Sequence, residues 1–189
     1  MRVAVCAIAL VAGLAATSTA ANPLKSLYTT IDLKACEQVK SDRDGGAWRC
    51  EGLPGYPVYV AEADLRQFLS VGPHAEKRRA ATQTLGPSNS IFARGGARST
   101  IEWRIVRRAE RPIPFATIVR FHTSSRGRKG DVLVVSKVGE GETCHVAYVD
   151  ALANPDAIAL ARRIADERAR AFDCRQEPRA EGERGRSPM

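Results

Sequence analysis

Four cysteines constrain this chain more than any other feature, and they do so because a fifth is discarded. Residues Met1-Arg2-Val3 carry one positive charge, an apolar run continues to Ala16, and Thr17-Ser18-Thr19 leads into Ala20-Ala21. A positive start, a short apolar run and a small-residue exit are the three parts of a secretory signal. The run falls short of the roughly 20 apolar residues that cross a bilayer, so residues 1–21 read as a signal cleaved near Ala20–Ala21. A lipid-anchored cysteine would follow the apolar run. Cys6 lies inside it and leaves with the signal. Cys36, Cys50, Cys144 and Cys174 remain, an even set that in an exported domain predicts two disulfides. Three pairings are formally open. Spacing favours Cys36–Cys50 across the polar turn Ser41–Gly46, and Cys144–Cys174 between a strand-like run and the end of the last helical segment. Zinc sites use short Cys-x-x-Cys pairs, which this sequence lacks, so neither metal nor cofactor is expected. The predicted location is the periplasm or the exterior, with no transmembrane span in the mature chain.

Removing the signal leaves enough chain for one ordinary domain. With 44% apolar and 26% charged residues, a core is within reach. The sequence predicts a single disulfide-stapled domain over 22–174. The charged, Pro/Gly-containing stretch 175–189 reads as a disordered tail. Strand signals recur at Leu27–Leu33, at Ala47–Cys50 and in a hairpin of Tyr56–Ala61 with Leu65–Val71. His74–Ala81 reads as a short helix. From Ser99 to Val149 four strands alternate apolar and polar positions across short connections, which predicts an antiparallel meander. Ile101, Trp103 and Ile105 mark the core face of the first of these, Glu102 and Arg104 its polar face. In the second, Phe115, Thr117, Val119 and Phe121 oppose Ile118, Arg120 and His122. A closing helix starts at Asn154 as N-cap, with Pro155 in its first turn. Its apolar stripe runs through Ile158, Ala161, Ala165 and Phe172, and Arg162 is spaced to pair with Asp166. The fold class is α+β, with an amphipathic C-terminal helix packed on the sheet.

Charge is concentrated. Between Arg94 and Lys129 ten basic residues face only Glu102 and Glu110, so this segment alone matches the formal net charge of +8 of the whole chain. Arg104, Arg107, Arg108, Arg120, Arg126, Arg128 and Lys129 are therefore the candidate binding residues. Their expected partner is an acidic envelope protein, a polysaccharide or anionic headgroups. A merely solvated sheet face is the competing interpretation. Nucleic acid is not expected, because no aromatic residues are interleaved with the arginines for base stacking.

Catalytic patterns are missing. His74, His122 and His145 have no metal-ligand spacing, and no nucleophile elbow, zincin helix or phosphate-binding glycine loop occurs. Glu62 and Asp64 flank a turn, where acidic residues also serve the backbone. The segments Leu27–Gly72 and Cys144–Cys174, and most specifically Trp48, Cys50, Gly52, Gly55 and Tyr56, resemble a family of exported proteobacterial proteins of unknown function. That resemblance implies export and no activity. A looser architectural likeness is to periplasmic lysozyme inhibitors, without any inhibitory motif to carry over. The function expected is a non-catalytic binding or accessory domain. The alternatives are a hydrolase using Asp64 or His145, and a purely structural envelope component.

Overall fold

A computed structural model describes residues 24–109 and 111–189; the expected signal lies outside the described residues. Eleven strands form two sheets among these residues: β1 (Lys25–Asp32), β2 (Glu37–Asp42), β3 (Gly45–Leu53), β4 (Tyr56–Ala63), β5 (Arg66–Val71), β6 (Ser88–Ser90), β7 (Arg98–Arg108), β8 (Arg111–Ser125), β9 (Arg128–Val138), β10 (Thr143–Asp150) and β11 (Arg179–Glu181). The small sheet runs β2-β3-β4-β5, and the large sheet runs β1-β7-β8-β9-β10-β11 with β6 added alongside β8. Every pairing is antiparallel except β10 with β11. Among the described residues one α-helix, α1 (Ala157–Arg168), closes the domain and runs on into a 3-10 turn at Ala169–Ala171. The class is α+β. It is built from two sheets rather than one, because β1 crosses from the start of the chain to pair with β7.

The large sheet is buried on both faces. Toward the small sheet it contributes Ile101, Trp103, Val119, Phe121, Val132 and Val134. Trp103 is fully buried, and its indole N–H donates to Thr29 Oγ1 at 2.8 Å, which removes the cost of an unpaired buried donor. Gly52 permits this close packing: a Cβ there would lie 2.2 Å from the Tyr56 carbonyl oxygen. The opposite face packs Ile118, Leu133, Val135 and Val149 against Ala157, Ala161, Ile164 and Ala165 of α1. Both disulfides join the expected cysteines, Cys36–Cys50 and Cys144–Cys174.

Several local expectations change. Phe115 packs on the helix side, because a bulge between Arg104 and Ile105 shifts the register before Thr117. The segment expected as one helix at His74–Ala81 is two 3-10 turns, Ala75–Lys77 and Arg79–Thr82. Asn154 does not cap α1. Its side chain instead donates to the carbonyls of Asp150 and Glu183 and accepts from Glu183 N. Ile158 is 39% exposed and falls outside the buried stripe.

The stretch 175–189, expected as a disordered tail, is fastened to the domain. β11 pairs with β10, and Asp150 Oδ2 accepts hydrogen bonds from the amides of Arg186 (2.9 Å) and Ser187 (2.8 Å). Ser187 Oγ donates to the Asp131 carbonyl, and Gly130 leaves the space this needs: a Cβ there would meet Ser187 at 2.6 Å. Composition hid this, because the tail is held by backbone hydrogen bonds rather than by burial of large apolar side chains.

Candidate functional site

The structure divides the seven expected binding residues into three groups. Arg104 is internal. It is 8% exposed and forms a double hydrogen bond with Asp166 of α1, at 2.8 and 2.7 Å. Glu102 beside it is paired likewise with Arg162, at 2.7 and 3.1 Å. The helix carboxylate and guanidinium expected to pair with each other on the outer face thus turn inward and cross to the sheet. Arg104 is withdrawn from any ligand surface. Arg107 and Arg108 lie exposed where β7 turns into β8. Arg126, Arg128 and Lys129 lie at the other end of β8, about 45 Å away at about 3.3 Å per residue over the strand Arg111–Ser125. Arg120 is near that second end and reaches Asp131 Oδ2 at 3.4 Å. A contiguous seven-residue arginine surface does not exist.

What does come together lies at the second end. There the β4–β5 hairpin approaches β6 and the β8–β9 hairpin, and a cleft of about 930 Å³ opens between them. A volume of this order suits a small-molecule ligand. On its polar side the amides of Gln67 and Asn89 are fully engaged. Gln67 Oε1 accepts from Ser90 Oγ and from the Ile91 amide, and Asn89 Oδ1 accepts from the Gln67 amide. Asn89 Nδ2 donates to the carbonyls of Leu85 and Pro87. These bonds fix β6 between the two sheets.

The charges on the cleft are unequal in their commitments. Both acids have partners. Glu62 accepts from Gln67 Nε2 at 2.7 Å, and Asp131 takes Arg120 and His122 Nδ1, the latter at 2.6 Å. Two cations, Arg94 and Lys129, have no ion pair and no side-chain hydrogen bond among the described residues. Thr123 also lines the cleft, is 3% exposed, and its Oγ1 has no hydrogen-bond partner. Of these three, only Lys129 belongs to the expected binding set. Arg94 is visible in the sequence only as one charge among ten. Thr123 carries no sequence signal.

The residues considered for hydrolysis are dispersed. Asp64 sits exposed on a turn and pairs with Arg66. His145 is buried, with its Nδ1 3.0 Å from Tyr148 OH; burial pushes its pKa down to about 3 and that of Tyr148 up to about 12. Neutral His145 is thus a core residue. His122 has an acidic partner, but no hydroxyl among the described residues hydrogen-bonds to it. No family model, curated protein or solved structure matches the chain. Among the described residues no helix is long and apolar enough to cross a membrane, and the two disulfides fit an oxidising compartment.

Proposed function

We propose that this chain is an exported, non-catalytic binding domain that recognises an anionic group of a cell-envelope component. Its recognition element is the cleft at the β8–β9 end, with Arg126 and Arg128 extending the positive field beside it. The observation that carries this reading is the inequality of commitments: Arg94 and Lys129 are unpaired, while Glu62 and Asp131 are already engaged. Glu62 keeps its charge, because its partner is a neutral amide, whereas Arg120 offsets Asp131; Arg94 and Lys129, with Arg126 and Arg128 beside them, outnumber Glu62, so an anion entering the cleft meets net positive charge. The two residues of the hydrolytic reading lie apart, Asp64 exposed on a turn and His145 in the core, which favours binding over catalysis.

The test is titration of the domain with dextran sulfate at 50 and 500 mM NaCl. Attraction to exposed charges is screened over this range, so affinity falls with salt. The Arg94→Ala/Lys129→Ala double variant binds at least tenfold more weakly at the lower salt. Affinity that is unchanged by both salt and the double substitution refutes the reading.

A further inference from the structure

The apolar half of the same cleft goes beyond charge recognition. Leu65 occupies the β4–β5 turn with φ +60, next to Asp64 at φ +51. Left-handed backbone is disfavoured for a leucine, and a two-residue hairpin turn of this hand is the usual place for Gly. The strained residue is also the most exposed large apolar side chain among the described residues, at 72%. Its carbonyl accepts from the Asn89 amide at 3.0 Å, which ties the turn to β6. Leu152, 40% exposed, lies on the same cleft, with Leu33 and the buried Phe92. Strain that presents an apolar side chain to water beside a cleft points from the outlier to a function.

Resting on the anion-binding reading above, we infer that the ligand is a single-chain anionic amphiphile. Its phosphate or carboxylate head meets Arg94 and Lys129, and its alkyl chain lies against Leu65, Leu152 and Leu33. Thr123, whose Oγ1 is buried and without a hydrogen-bond partner, lines the same cleft. The charge inequality selects the head, and the apolar rim selects the chain. A hydrophilic polyanion would leave Leu65 and Leu152 in water. A neutral detergent would leave the two cations unused.

The experiment is calorimetric titration of the wild-type domain with monomeric decyl phosphate, butyl phosphate and decyl maltoside. Each buried methylene contributes a factor of about 4 in affinity. With four of the six additional methylenes buried, decyl phosphate binds about 200-fold more tightly than butyl phosphate, at one site per chain. Arg94→Ala/Lys129→Ala weakens decyl phosphate at least tenfold and leaves decyl maltoside unchanged. Leu65→Gly relieves the turn and removes the apolar contact, so its urea midpoint rises while its decyl phosphate affinity falls about tenfold.

If butyl and decyl phosphate bind equally and both lose affinity in the double variant, the amphiphile is refuted and anion recognition stands. If decyl maltoside binds as tightly as decyl phosphate and the double variant changes nothing, both fail. Binding to vesicles of anionic phospholipid without any binding of monomeric decyl phosphate also overturns the inference. So does a Leu65→Gly domain with wild-type affinity.

Discussion

Replacing Asp166 by alanine strands the Arg104 guanidinium between β7 and α1. The Arg104 side chain is 9% exposed and that of Asp166 is 23%, so their double hydrogen bond is shielded from solvent. Ser26 Oγ also accepts from Arg104 Nη1, at 2.6 Å, and Glu102 Oε1 stands 4.0 Å away. Breaking a buried pair by removing one partner costs about 3–5 kcal/mol. The nearby Glu102 carboxylate leaves Arg104 partly compensated, which places Asp166→Ala at the lower end, about 3 kcal/mol. For a domain of this size that corresponds to a Tm lower by about 6–12 °C. Replacing both partners, Arg104→Met with Asp166→Leu, removes the stranded charge and restores stability to within about 1 kcal/mol of wild type. Urea unfolding followed by far-UV circular dichroism, with both disulfides oxidised, measures each variant. A loss under 1 kcal/mol for Asp166→Ala would refute the internal placement of Arg104 and return it to the ligand surface.

Opening Cys144–Cys174 by a double alanine substitution costs about 3.5 kcal/mol for a loop of 30-residue separation, read from the urea midpoint. The corresponding change at Cys36–Cys50, with separation 14, costs about 3 kcal/mol. Burial lowers the pKa of His145 from 6.5 to about 3, so below pH 6.5 the unfolded chain takes up a proton that the folded one refuses. Its contribution to stability is present above pH 6.5 and is lost as the pH falls toward about 3. Across that window His145→Gln flattens the wild-type dependence by up to about 1.4 kcal/mol per pH unit; identical slopes contradict a buried neutral imidazole. The amides of Arg186 and Ser187, which donate to Asp150, show hydrogen-exchange protection. Complete exchange of both in the dead time would restore the disordered tail.

Strand periodicity made most of β7 to β10 legible, and cysteine spacing made both disulfides legible, because each signal is local. Whether a polar face meets water is not local. Glu102 and Arg104 alternate correctly with Ile101 and Trp103, yet their face is covered by α1, so their charges are satisfied by Arg162 and Asp166 instead of solvent. The i,i+4 spacing of Arg162 and Asp166 was real but outcompeted by these shielded partners. Clustering in sequence does not bring the arginines together in space. A strand as long as β8 carries Arg108 and Arg126 to opposite ends of the domain. The cleft was the least legible feature. It joins Arg94, Thr123 and Lys129 from the large-sheet side to Leu65 from a hairpin of the small sheet, and no spacing rule connects them. Of its residues only Lys129 is among those expected to bind; Leu65 reads in the sequence as the start of a strand, and the fold places it in the turn beside Asp64.

Amide chemical-shift mapping of the domain during titration with decyl phosphate tests the central claim most directly. Localised, saturating shifts at Leu65, Arg94, Thr123 and Lys129, with Arg107 and Arg108 unmoved, are the predicted result. Shifts centred on Arg107 and Arg108, or small shifts spread over all the arginines without saturation, would contradict a binding cleft at the β8–β9 end.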